Sequence, residues 1–512
     1  MRPSTIRAYD WIANHALRRA DAPAAVDLAT GRRFTYGEFH ARIDGLAAGL
    51  AGTFGIAPGD RVAVLAQSST DVFELQFACF RLGAIFVPLN LRLTPVELAA
   101  ILANCAPALL VHDKAFEARA VEISGPNSRW RLVGCGPGST CEAAAASGQR
   151  LKVPAEMNLH DTATLLYTSG TTGQPKGVIV TYAMNLFNAL NSAGVTPISE
   201  RSVMLCVMPL FHTAGLNCFA NPIFHSGGAV AVAGSFDPGE TLRQLGDAGL
   251  GITHMFGVPA HYQFLAAHPD FAATDLGRLE SVTVGGAPAP LPVIEAWQRR
   301  GVALAQGYGM TETGPMTLCL DRADAVRKVG SAGKLAMHME LRLVDGEGRD
   351  VDDEEVGEIW LRGPSITPGY WENPAATEQA LAGGWLHTGD AARRDAEGYY
   401  FIVDRWKDMY ISGGENVYPA EVENVLYRIE GVAEAAVIGV PSARWGETGR
   451  AVVVLKSGVA LDPAMILAQC AGQLARYKLP QDVVFTEALP RNATGKVHKP
   501  TLRAAFGGAA AV

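Results

Sequence analysis

Two hydrophobic rhythms alternate along the first third of the chain. The apolar runs Arg61–Gln67, Ile85–Leu89 and Ala108–His112 read as buried strands, and Val72–Leu82 carries the three- and four-residue spacing of a helix. Thr35-Tyr36-Gly37-Glu38 and Thr94-Pro95-Val96-Glu97 each set a threonine three residues before a glutamate. In that arrangement hydroxyl and carboxylate reciprocally satisfy the free backbone N–H groups of a helix start. The first box opens a helix through Leu50; in the second, Pro95 occupies the first helical position, where its missing N–H costs nothing. Such βαβα alternation predicts an α/β fold: a large N-terminal domain of layered, mostly parallel sheets covered by helices.

Between residues 114 and 157 the pattern weakens, and the Gly, Ser and Ala clusters around Gly134–Ser147 predict a surface excursion without chemistry. The rhythm then resumes. Strands are predicted over Ala163–Tyr167, Ser202–Met208, Gly228–Val232, Gly251–Phe256, Ser281–Val284 and Val302–Gln306, with helices near Tyr182–Ala193 and before Arg300. Four strand ends open into Gly- or Pro-containing loops, at Pro209–Gly215, Gly257–Pro259, Gly285–Pro288 and Gly307–Gly314. Ligands of parallel sheets sit at the carboxyl ends of the strands, so these loops are expected to share one crevice.

The texture changes after Gly330. Short strands at Glu340–Val344, Glu358–Arg362 and Tyr399–Val403 predict a β subdomain over about 330–403. Charge gathers at Asp404–Asp408, and beyond it lies a small α+β unit. Its helix lies near Ala420–Ile429, its strands are Ala436–Val440 and Ala451–Lys456, and a further helix runs to Tyr477. The expected domains are residues 1–403, a joint at 404–408, and 409–512.

A chain of 512 residues exceeds what a single core supports. A net charge of −8 argues against a nucleic-acid backbone as partner, which needs a basic face, and leaves room for a local basic patch that holds a nucleotide. The eight cysteines are scattered with no C-x-x-C pair, which argues against a metal cluster or a disulfide framework and fits a reducing cytoplasm. No stretch approaches the ~20 apolar residues of a spanning helix. Peripheral membrane contact and a homodimer stay open.

The chemistry starts at Tyr167-Thr168-Ser169-Gly170-Thr171-Thr172-Gly173-Gln174-Pro175-Lys176-Gly177. A strand ends there in hydroxyls, glycines and one lysine, groups able to surround phosphate oxygens. It is not the Walker loop, since no Gly-Lys-Ser/Thr stands at the required spacing. Gly307-Tyr308-Gly309 lacks the third glycine of a dinucleotide fingerprint, which removes the dehydrogenase reading.

Together with Gly307-Tyr308-Gly309-Met310-Thr311-Glu312, Thr388-Gly389-Asp390, Asp404–Asp408 with Ser412–Glu423, and Asn492-Ala493-Thr494-Gly495-Lys496, this loop resembles the ordered motifs of the acyl-adenylating superfamily: acyl-CoA synthetases, adenylation domains and luciferases. Within it, the chain resembles the single-chain fatty-acid and aryl/hydroxycinnamate CoA ligases. The resemblance implies ATP, Mg2+ and coenzyme A as cofactors and a small carboxylic acid as substrate. Acid and ATP would give an acyl-AMP, and coenzyme A would then give the thioester. A stand-alone enzyme loading a carrier protein is the alternative. By the same resemblance Thr168, Ser169, Thr171, Thr172 and Lys176 hold phosphates, with Gly170 and Gly173 shaping the loop. Thr168 and Glu312 hold Mg2+. Tyr308 faces adenine, with Gly285, Gly286 and Ala287 opposite and Gly307, Gly309, Met310 and Thr311 beside it. Asp390 accepts from the ribose hydroxyls next to Arg405.

Lys496 is the implied catalyst of adenylation, Lys407 the joint on which a mobile small domain turns, and Gly413, Gly414 and Glu415 the loop that then shapes a pantetheine tunnel. Lys499 reads as an ordinary exposed lysine. Trp445 could stack on the adenine of coenzyme A with Arg444 and Lys478 near its phosphates, or could be a core tryptophan. For the acid, His212, Thr213, Phe256, Gly257, Gly285, Gly309, Met316 and Thr317 are the implied lining, all uncharged or weakly polar as an apolar ligand requires. His212 serves better as a neutral wall than as a base. Thr213 and Ala214 stand where amino-acid-activating relatives place an aspartate, Gly309 where acetate-specific relatives place a tryptophan, and Gln306-Gly307 where dicarboxylate-specific ones place an arginine. An apolar or aromatic acid larger than acetate is expected.

Overall fold

The computed structural model describes residues 6–125, 128–169, 175–405, 408–412, 415–442, 444–471, 473–491 and 497–508. Two large sheets form its body. In the six-stranded sheet, Arg131–Gly134, Leu109–His112, Arg61–Leu65, Ile85–Pro88 and Thr162–Ser169 run parallel, and Pro175–Thr181 closes the edge antiparallel. In the nine-stranded sheet the parallel centre is Leu304–Tyr308, Ser281–Val284, His254–Gly257, Val203–Cys206, Ala229–Val232 and Pro23–Asp27. Both capping boxes form: Thr35 begins the helix Tyr36–Phe54 and Thr94 the helix Pro95–Cys105.

The largest core lies between these sheets. It joins Val62, Val64, Phe86 and Val111 of one to Met204, Cys206, Val230 and Val232 of the other through helices that both sheets cover. The helix Thr70–Leu82 sits there with all but one of its 13 residues buried, charged ones included. Each charge has a partner on a different segment: Arg32 Nη2 lies 2.6 Å from Asp71, Arg42 Nε 2.6 Å from Glu74, and Arg81 Nε 2.6 Å from Asp10. Removing one member of such a pair strands a buried charge, which typically costs ~3–5 kcal/mol.

Three segments differ from the pattern-based expectation. Residues 114–157 are not an excursion: Arg131–Gly134 extends the six-stranded sheet, and Cys135, Cys141 and Ala145 enter the core. The phosphate-loop strand does not lead directly to a helix, because Pro175–Thr181 returns beside it as the other arm of a hairpin. The β subdomain holds four strands, with the unforeseen Leu386–Arg394 between Gly357–Arg362 and Tyr400–Arg405. Arg131–Gly134 is mostly open to solvent and Leu386–Arg394 is only half-buried through its middle, so neither shows apolar alternation. The last sheet, built from strands between Tyr410 and Phe485, has its own core around Val422, Leu426, Val437 and Val453. All eight cysteines are buried, and none is joined in a disulfide.

Candidate active site

The strands Val203–Cys206, His254–Gly257, Ser281–Val284 and Leu304–Tyr308 are parallel neighbours, so the four loops at their carboxyl ends do meet. Close backbone approach decides two of the glycines. A Cβ on Gly285 would stand 3.1 Å from the Phe256 ring and 3.2 Å from the Gly307 carbonyl oxygen, and one on Gly309 would overlap the Pro315 carbonyl at 1.5 Å. Gly309 is therefore required by a crowded backbone. Gly286 takes a left-handed φ of 82° and, like Ala287, is exposed. Gln306 Oε1 accepts from the Ala289 N–H at 3.1 Å and pins this loop to the neighbouring strand. A buried glutamine closing an apolar strand was its only signal in the sequence.

Two motifs far apart in the chain join here. The Tyr308 hydroxyl donates to Asp390 Oδ2 at 2.7 Å. Asp390 pairs in register with Arg405, and the Thr388 hydroxyl accepts from the Asp390 N–H at 3.1 Å. Glu312 is not a solvent-facing acid: it is 6% exposed, and the Tyr370 hydroxyl donates to its Oε1 at 2.9 Å. Burial and the nearby Glu312 carboxylate push the Tyr370 phenol well up, keeping it a donor. Lys176 Nζ stands 5.2 Å from the Tyr370 ring centroid, so Tyr370 links the phosphate-loop hairpin to Glu312. Thr168 pairs with Lys176 and Ser169 with Pro175 in that hairpin; Gly170, Thr171, Thr172 and Gly173 lie outside the described residues. Sequence reasoning missed Tyr370, which stands in no strand or helix pattern.

The residues expected to line the acid have a second unforeseen organiser. His212 caps the short helix Thr213–Leu216, its Nδ1 accepting from Ala214 N–H at 3.2 Å, as a neutral wall residue can. On the helix Tyr182–Val195, Asn188 Oδ1 accepts from the Met316 N–H at 2.8 Å, and its Nδ2 donates to the Asn217 carbonyl at 2.6 Å. Asn217 in turn donates to the Thr213 hydroxyl at 3.3 Å. One amide thus holds together the loops that carry Thr213 and Met316. The available signal was Asn185, Asn188 and Asn191 recurring on one face of an apolar helix.

The AMP-binding enzyme family matches residues 12–371, and its C-terminal domain matches 421–496. The chain belongs to the AMP-binding enzyme family. It is 42% identical to a feruloyl-CoA synthase of Amycolatopsis over 93% of this chain and 95% of that protein. It is 38% identical to an indoleacetate–CoA ligase of Aromatoleum aromaticum over 92% and 93%. Among solved structures, ATP-bound MatB from Rhodopseudomonas palustris superposes with a TM-score of 0.90 at 31% identity, covering 98% of this chain and 99% of that one.

In this AMP-binding enzyme the C-terminal unit carries the remaining expected residues. Ser412 pairs with both Glu415 and Gly446, which brings the exposed Glu415 beside Arg444 and Trp445. Trp445 is half-buried and not a core tryptophan, and the Arg444 guanidinium lies 4.9 Å from its ring. Lys478 Nζ bonds both Glu421 oxygens, at 2.7 and 2.8 Å. Lys499 is not an ordinary exposed lysine; it is largely buried and paired with Glu423 at 3.0 Å. Lys407, Gly413, Gly414 and Lys496 lie outside the described residues. One contact to the large domain is Gln263 Nε2 donating to the Ala433 carbonyl at 3.1 Å. Among the described residues no helix is long and apolar enough to cross a membrane, and no cluster of three metal-ligating side chains occurs.

Proposed function

We infer that this protein is an ATP-dependent acid–CoA ligase that activates an aryl or fatty acid as its acyl-AMP and passes the acyl group to coenzyme A. The observation that carries this reading is the joining of Tyr308, Asp390, Glu312 and Lys176 at the ends of the parallel strands, in a member of the AMP-binding enzyme family. An acid carboxylate attacks the α-phosphorus of ATP and pyrophosphate leaves. The coenzyme A thiol then attacks the acyl carbon and AMP leaves. Tyr308 offers a flat face to adenine and Asp390 accepts from the ribose. Thr168, Ser169, Thr171, Thr172 and Lys176 hold the phosphates. Buried Glu312 and the Thr168 hydroxyl are hard oxygen donors that fit magnesium, which when bound supplies positive charge to the phosphate oxygens.

Lys496 bridges the acid carboxylate and the α-phosphate as charge shifts between them. The small domain, residues 409–512, turns at 404–408 after adenylation, withdrawing Lys496 and presenting Gly413, Gly414 and Glu415 with Arg444, Trp445 and Lys478 to coenzyme A. Lys407→Pro fixes φ at that joint. It is expected to spare acyl-AMP formation and to slow thioester formation by about tenfold or more, because conformational steps of this kind gate turnover. Separate single-turnover assays of the halves check this, and equal loss in both sinks the joint.

The reaction itself is tested by pyrophosphate release with a panel of fatty, benzoic and cinnamic acids, with and without coenzyme A. Turnover with at least one acid, accompanied by AMP and an acyl-CoA, is the expected result. Release only when a phosphopantetheinylated carrier protein replaces coenzyme A would point to the carrier-loading alternative.

A further inference from the structure

Residues 367–371 run between the strand Gly357–Arg362 and the helix Pro374–Ala380 and are bonded on two sides. On one side they follow Pro175–Thr181, the returning arm of the phosphate-loop hairpin. The Ile179 N–H donates to the Gly369 carbonyl at 3.1 Å and the Trp371 N–H to the Gly177 carbonyl at 2.7 Å, with Val178 and Tyr370 bridged between them. The Thr367 hydroxyl adds a bond to the Ile179 carbonyl at 2.7 Å. On the other side, the Thr367 N–H donates to the Glu312 carbonyl at 2.8 Å. The Tyr370 N–H donates to the Thr377 hydroxyl at 2.9 Å, which ties the backbone at this tyrosine to the following helix as well.

The Tyr370 side chain repeats that two-sided pattern. Its hydroxyl donates to Glu312 Oε1 at 2.9 Å, and its ring centroid lies 5.2 Å from Lys176 Nζ. The two partners need different help. Glu312 is a buried carboxylate, which must be hydrogen-bonded to stay charged at low cost, and a donor on one oxygen fixes how the group is turned. Lys176 carries its charge on a flexible four-carbon stem, and a fixed aromatic face narrows where that charge resides.

We propose that Tyr370 is a positioning residue shared by the two charged side chains that serve ATP: its hydroxyl keeps the Glu312 carboxylate in one orientation for magnesium, and its ring holds the Lys176 ammonium in place for the phosphates. This rests on the acid–CoA ligase reading and on the roles given there to Glu312 and Lys176. Tyr370 acts through these two side chains and through neither the acid nor the nucleotide directly. Groups that orient a ligating carboxylate are typically worth about 10–100-fold in metal affinity or activity. An aromatic ring beside an ammonium is typically worth about fivefold.

The two contributions separate, because Tyr370→Phe removes the hydroxyl and keeps the ring, whereas Tyr370→Leu removes both. The test measures binding of metal-free ATP and of AMP by calorimetric titration. Beside it, the free magnesium that gives half-maximal pyrophosphate release is measured with an acid that the wild type uses. Tyr370→Phe is expected to raise that magnesium concentration by about tenfold and to leave metal-free ATP binding within about twofold. Tyr370→Leu is expected also to weaken metal-free ATP by about fivefold. AMP lacks the phosphates that Lys176 holds, so its affinity is expected to stay within about twofold, which also certifies that the variant is folded. In a Lys176→Ala background, Tyr370→Leu is expected to weaken ATP by less than about twofold more, since the ring then has no ammonium to hold. Wild-type magnesium dependence in Tyr370→Phe overturns the proposal. So does a Tyr370→Leu protein that binds ATP as tightly as the wild type or more tightly, or that loses ATP and AMP equally. Metal-free ATP weakened as much by Phe as by Leu overturns it too. Those results leave the ligase reading standing, whereas a wild type that binds neither nucleotide and releases no pyrophosphate with any acid of the panel removes both.

Discussion

Lys496→Ala is expected to slow acyl-AMP formation by about a hundredfold or more while leaving thioester formation from preformed acyl-AMP within about threefold of the wild-type rate. The asymmetry follows from where charge moves. In the first half-reaction two anions, the acid carboxylate and the α-phosphate, must approach and a further negative charge must leave as pyrophosphate. A preorganised ammonium between them stabilises the transition state more than the separated ground state, and single groups of this kind are typically worth ~3 kcal/mol or more. In the second half-reaction the electrophile is a neutral acyl carbon, and the proposed turn of the small domain has by then withdrawn Lys496, so the charge that leaves on AMP is not stabilised by this ammonium. Rapid-quench measurement of labelled acyl-AMP, run beside a thiol-loss assay on synthetic acyl-AMP, separates the halves. An undiminished first half would remove Lys496 from the mechanism.

Glu312→Gln carries the second large effect. The substitution keeps shape, and the Tyr370 hydroxyl can still donate to the amide oxygen, so the fold around the Gly307–Glu312 loop is expected to hold. The negative charge is lost, and with it the hard, anionic oxygen that magnesium prefers. Adenylation is expected to fall by about a hundredfold at ordinary magnesium, with the magnesium dependence shifted to higher concentration. Chelation of the wild type is expected to abolish turnover without lowering the melting temperature. A Glu312→Gln enzyme with wild-type magnesium dependence would take Glu312 out of the metal role.

Much of this site was legible in the chain because its chemistry sits in contiguous motifs: Gly307–Glu312, Thr388–Asp390 and Tyr167–Gly177 each announce themselves by composition over a few residues. The parallel sheets were legible for a similar reason, since fully buried strands such as Ala229–Val232 are unbroken apolar runs. What stayed hidden depends on distance in sequence. Tyr370 meets Glu312 across 58 positions and Asn188 meets Met316 across 128, and nothing local marks either residue for its partner. The strand Leu386–Arg394 was invisible because its middle residues, including Asp390, are only half-buried and carry no alternation. Asp71, Glu74 and Arg81 would be read as a wet helix face by pattern alone, yet the helix is enclosed and their solvent is replaced by Arg32, Arg42 and Asp10.

That enclosed helix constrains how the sequence can drift. Because Arg32, Arg42 and Asp10 come from three separate stretches of chain, each pair is a lock whose two halves are encoded far apart. A lone change at Arg42 leaves the buried Glu74 without its cation, whereas a change at Glu74 leaves Arg42 to Glu142 alone, 2.6 Å away. Drift at these places therefore moves in twos, and the N-terminal hairpin, the first long helix and the central helix remain bound to one another's history.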